Sequence, residues 1–130
     1  MQEVNKMGYN PQNAKEGNAG TQLPADTIMD GVIVSINDGH TKDFIKPEVQ
    51  KIWKGDIESL AINCTVEVKN GEEMVKIEQL FTYSEEEGQT IYNAKSNLGK
   101  FKVKYGKLPV AGDQVKVITN SDGFGKIKLD

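Results

Sequence analysis

Residues 27–37 read TIMDGVIVSIN. In an extended chain Ile28, Val32, Val34 and Ile36 fall on one face, and Met29, Ile33 and Ser35 on the other. That period of two predicts a β-strand whose Ile28–Ile36 face is buried. Asp30 interrupts the inward series beside Gly31. A mid-strand glycine predicts a bulge or sharp bend, the device that lets one strand serve both halves of a small barrel. The stretch is therefore expected to open a closed five-stranded barrel.

The remaining elements follow from the same patterning. Asp38-Gly39 signals a turn. Residues 40–56, HTKDFIKPEVQKIWKGD, form a connection too long and too apolar for a plain turn. Within it Pro47 can start a helical turn over Pro47–Trp53. Leu60, Ile62, Cys64, Val66 and Val68 alternate with Ala61, Asn63, Thr65 and Glu67, the clearest strand of the chain. Asn70-Gly71 is a strong hairpin signal. The return strand, Met74–Tyr83, points Val75, Ile77, Phe81 and Tyr83 one way, and Gln79 breaks that series, which suggests a bulge there. An acidic, solvated loop follows at Glu85–Gly88, with a short extra strand at Gln89–Asn93.

Residues 96–106, SNLGKFKVKYG, place Leu98, Phe101 and Tyr105 at helical spacing. Ser96 or Asn97 can cap the start and Gly106 the end, so a helix is expected. Gln114–Thr119 is a strand with Val115 and Val117 inward. Asn120–Gly123 is a turn, and Phe124–Leu129 the last strand. Residues 1–26 have almost no aliphatic content and are expected to be a flexible tail. The domain is then 27–130.

The chain has 130 residues, enough for one domain with a real core. No apolar run approaches the ~20 residues needed to span a bilayer, and the polar N-terminus carries no signal peptide pattern. One cysteine, Cys64, excludes an internal disulfide, so a reducing, cytoplasmic setting is expected. Net charge is −3, but its distribution is uneven. Residues 57–95 hold eight acids against three lysines, a net of −5, while 96–130 hold seven lysines against three acids, a net of +4. All sixteen basic residues are lysine. Without arginine's planar fork, sequence-specific duplex readout is not expected.

Three strands, a helix, then two strands resembles the connectivity of the OB-fold, a Greek-key barrel with one α-helix between strands 3 and 4. The resemblance covers about residues 27–130 and rests on element order. It implies a module that binds single-stranded nucleic acids or oligosaccharides, through the face of strands 2 and 3 and the loops joining strands 1–2 and 4–5.

The chemistry-bearing residues favour binding over catalysis. One histidine, His40, and one cysteine cannot assemble a metal site, and no glycine-rich phosphate motif occurs. No nucleophile–base pair, cofactor or metal is expected, and Glu85–Glu87 reads as a solubilising loop. The 40–56 connection interleaves Phe44 and Trp53 with Lys42, Lys46, Lys51 and Lys54. Rings that stack bases, beside cations that follow phosphates, are what sequence-tolerant single-strand binding needs. The expected site is a groove flanked by this connection and the 120–126 hairpin. Phe44, Trp53 and Phe124 would stack bases, and Lys42, Lys46, Lys54 and Lys126 would meet phosphates. Asn63, Thr65 and Lys76 would floor the groove. The expected function is non-enzymatic single-stranded DNA binding in replication, repair or recombination, with DNA favoured over RNA and no membrane partner. The alternative is a protein-interaction or self-association module that pairs the acidic 57–95 and basic 96–130 parts. In that case the aromatic rings pack beneath their loop and the lysines face water.

Overall fold

The computed structural model describes residues 23–130. Residues 1–22 of the expected tail lie outside the described residues. Its last four line the sheet: Leu23 is buried and donates its N–H to Gly123 O at 2.7 Å, and Thr119 Oγ1 donates to Pro24 O at 2.6 Å.

Six strands form one antiparallel sheet that curls into a half-barrel. They are β1 (Ile28–His40), β2 (Leu60–Asn70), β3 (Glu73–Glu86), β4 (Gln89–Ile91), β5 (Gln114–Thr119) and β6 (Gly125–Ile127), in the spatial order β4-β3-β2-β1-β5-β6. Among the described residues three helical segments interrupt them, a 3-10 turn at Thr41–Asp43, α1 (Pro47–Gln50) and α2 (Asn97–Tyr105). The mainly β class and the antiparallel curl agree with an OB-like barrel. The strand number and the helix position do not: there are six strands instead of five, and α2 follows the fourth strand instead of the third. The cause lies in β3. It runs on past Tyr83, turns at Glu87 and Gly88, both at positive φ, and returns as β4.

β1 serves both halves of the sheet, as expected. Ile28–Val32 pair with β5 and Gly31–His40 with β2. The side it buries is the opposite of the expected one. Gly31 and Ile33 are buried, with Met29 packed on the core, while Ile28, Val32 and Val34 are exposed. The register on β2 shifts between Ile33 and Ser35, so the bulge falls at Val34 and not at Gly31. Beyond it Ile36 rejoins the inner face opposite Cys64. Gly31 serves close packing instead: a Cβ there would stand 2.7 Å from Val66 Cγ1.

The alternations of β2, β3 and β5 bury the expected residues, Cys64, Val66, Val68, Val75, Ile77, Phe81, Val115 and Val117. α2 forms where its caps and spacing predict. Ser96 Oγ accepts from Gly99 N at 3.2 Å, and Gly106 ends the helix at φ 81°. Leu98 and Phe101 enter the core, where Phe101 meets Phe81 edge-on at 5.8 Å and Tyr105 at 4.5 Å.

The expected closure is not made by a backbone ladder. β3 and β6 occupy different parts of the sheet order and share no ladder. Gln79 spans the seam, its side-chain Oε1 accepting from Ile127 N at 3.3 Å. The β2–β3 register runs unbroken through Gln79, so the break in its apolar series marks this amide and not a bulge.

Candidate nucleic-acid interface

The β1–β2 connection is built as a rigid base carrying a small tip. At the base, Thr41 N donates to Ser59 O and Lys42 N to Ile57 O, both at 2.9 Å. Thr41 is buried. Gln50 Nε2 donates to Lys42 O and to Ile45 O, each at 3.1 Å, and so ties the tip to the base. Phe44 belongs to the base. It is half-buried, and its Cζ lies 3.2 Å from where a Gly39 Cβ would stand.

The tip is α1 and the turn that follows. Pro47 opens the helix, and Lys46 O receives both Val49 N and Gln50 N at 2.9 Å. The expected turn over Pro47–Trp53 is thus helical for four residues and relaxes over the next three. Val49, Ile52 and Trp53 stand at i, i+3 and i+4, which places them on one side of the turn. With Lys54 and Gly55 they line a shallow apolar hollow. Ile52 is 77% exposed and Trp53 39%. Among the described residues Lys46, Lys51 and Lys54 have no ion-pair partner. Glu48 is the one acid of the tip.

Lys42 differs from its neighbours. Its Nζ lies 2.8 Å from Glu58 Oε1, and the hydrogen bond to that carboxylate holds the ammonium above its ordinary range. The presumed phosphate contact already has an anion. His40 is exposed beside the Asp43 carboxylate, Nδ1 to Oδ2 at 3.7 Å.

The outer face of β2 and β3 carries Asn63, Thr65 and Lys76, and it is not a basic floor. Asn63 is only 9% exposed and donates Nδ2 to Glu78 Oε1 at 2.9 Å. Lys76 approaches Glu67 at 3.9 Å. Thr65 pairs across the strands with Glu78. Phe124 and Lys126 stand elsewhere again, on the β5–β6 hairpin. Phe124 is 51% exposed, and its N–H donates to Asn120 Oδ1 at 3.0 Å. That hairpin adjoins the Ile28 end of β1, while the long connection leaves from the His40 end. The strand between them is 13 residues long, about 40 Å of path if straight. Trp53, Lys46 and Lys54 are thus gathered on one turn, whereas Phe44, the β2–β3 positions and the hairpin are not gathered with them.

A hollow of about 670 Å³ lies on another part of the sheet and is lined in part by Val32, Glu67, Lys69 and Met74. It also holds Asp30 and Lys116, which pair with each other. No group of three or more metal-ligating side chains comes together among the described residues. No described helix is long and apolar enough to cross a membrane.

The chain matches no known family model, no curated protein and no solved structure.

One basic surface escaped the motif reading. α2 turns Lys100, Lys102, Val103 and Lys104 outward, all exposed. The signal available in the sequence was a run without acids: residues 88–112 hold five lysines and no Asp or Glu.

Proposed function

We propose that this chain is a non-enzymatic module that binds single-stranded nucleic acid, with DNA the ligand to test first, through the tip of the β1–β2 connection. One observation carries the reading: a part-exposed indole on an apolar hollow, with three lysines around it that have no ion-pair partner among the described residues. A base stacked on such a ring contributes about 1–3 kcal/mol whatever its identity. Lysines without partners are free to replace the counterions of phosphates. Lys42, Asn63 and Lys76, each already facing a carboxylate, contribute less than the motif reading assigned them.

Titration of the protein with oligo-dT at low salt is the test, with indole fluorescence as readout. Quenching is expected, with affinity falling on a log–log salt plot by a slope of about −2 for three lysines. Trp53→Ala, which removes the single indole of the chain, should weaken binding of a dye-labelled oligo-dT by about tenfold or more, followed by anisotropy. Absence of any oligonucleotide binding at low salt would reject the reading.

The charge separation along the chain favours a second reading, assembly between copies. Glu85, Glu86 and Glu87 are exposed on the β3–β4 turn and the α2 lysines are exposed on the helix, without pairing to each other among the described residues.

A further inference from the structure

We infer that the outward face of α2 is a second contact surface for the phosphodiester backbone of the same single strand, an inference that rests on the proposed binding at the tip. Of the five lysines between residues 88 and 112, only Lys107 is in an ion pair among the described residues, with Asp113 at 2.9 Å. Lys95, Lys100, Lys102 and Lys104 have none. Lys100 and Lys104 are one helical turn apart, where like charges repel each other. Between them Val103 is 83% exposed.

Helix electrostatics explain only part of this arrangement. Lys102 and Lys104 stand in the last turn, where cations complement the negative end of the macrodipole. Lys95 precedes the Ser96 cap, at the positive end, where a cation is unfavourable. Lys100 lies in the middle of the helix and gains nothing from either end. Asp130, whose carboxyl is held low chiefly by Lys128 and slightly by Lys104, is already paired with Lys128. The face therefore carries a repulsion that an extended anion would relieve. Separate ammonium groups on either flank of a small apolar side chain, Lys100 and Lys104 on one and Lys102 on the other, suit a backbone of repeated single charges. They offer neither a stacking ring nor a bidentate donor for reading bases.

The test compares two oligonucleotide lengths on two proteins, wild type and Lys100→Gln/Lys102→Gln/Lys104→Gln. These side chains are exposed, so the variant should fold, and its thermal midpoint and circular dichroism verify that. A short oligo-dT of about four nucleotides should bind both proteins alike, with the same indole quenching. A long one of about thirty should bind wild type more tightly, with a salt slope steeper by about 2, and the variant should lose that extra slope. Equal slopes for both proteins with the long strand, while quenching persists, would overturn the inference and leave the tip reading standing. No binding of either length would reject the tip reading and the inference with it. If the variant instead abolishes a salt-sensitive self-association seen by sedimentation, with long-strand binding unchanged, α2 is an interface between copies and the inference is likewise overturned.

Discussion

Phe101 and Trp53 are both aromatic residues set among lysines, and they end in opposite surroundings. Phe101 has Lys100 and Lys102 on either side in sequence, yet its ring is fully buried between Phe81 and Tyr105. Trp53 has Lys51 and Lys54 near it and remains part-exposed on a hollow. The local sequences are alike; the supports are not. α2 is nine residues long, capped at both ends, and lies against β3, so its apolar stripe has a sheet to cover. α1 is four residues long and buries none of them. An aromatic among lysines is thus not in itself a binding signal. The binding role proposed for Trp53 rests on its element having no core face to cover.

The sharpest way to break this contrast is to truncate both rings. Phe101→Ala should cost about 3–5 kcal/mol, measured by urea denaturation, as a fully buried phenyl does. A cost below about 1 kcal/mol would mean that α2 is only loosely docked.

The interior side of the contrast can also be probed through the thiol of Cys64. Burial pushes it up to about 12 from an ordinary 9.0. In folded protein at pH 8, Cys64 should resist disulfide reagents that react at once with the denatured chain. The unfolded thiol ionises near pH 9 while the folded one stays protonated. Its stabilising contribution is therefore complete below pH 9 and is lost as pH rises toward 12. Tyr83, held up to about 12 chiefly by its hydrogen bond to Asp38, acts in the same direction above pH 10. Denaturation midpoints that stay level between pH 8 and 11 would contradict this.

The smallest effect is expected at the tip. Trp53→Ala should change unfolding free energy by less than about 1 kcal/mol while weakening the binding of a dye-labelled oligonucleotide, followed by anisotropy, by about tenfold. A loss of several kcal/mol, with no binding to lose, would place the indole in the structural framework and make the two rings equivalent.

The sequence reading succeeded where one period dominated. The alternation at 114–119 and the capped 96–106 stretch each had a single buried face, and the structure keeps it; at 60–68 Cys64, Val66 and Val68 are buried as read, but Ala61 and Asn63 of the other face are buried too and Leu60 and Ile62 only half-buried. β1 was read onto the wrong side because its apolar residues occupy both faces. Only the bulge at Val34 and the contact of Gly31 with Val66 decide between them, and both depend on β2. Gln79 looked like a defect because its partner, Ile127, is 48 residues away. The candidate site was legible as a composition, lysines with aromatics at 40–56. Which lysines are available was not, since Glu58 takes Lys42 and Glu67 approaches Lys76 through folding alone. α2 shows the reverse case: its lysines were visible, but they entered only as part of the basic 96–130 stretch, since which of them share the outward side depends on how the helix docks on β3.

The shared first strand has a consequence for how the chain is made. Ile28 completes its ladder only with Ile118, so one of the two neighbours of β1 comes from the far end of the sequence. At typical rates of synthesis that neighbour emerges on the order of ten seconds after β1 itself. Until then β1 can pair with β2 alone, and Ile28, with Met29 beside it, forms an apolar edge still lacking its partner. The nascent domain therefore passes through an interval in which its first strand is half-paired, with an apolar edge open to other chains.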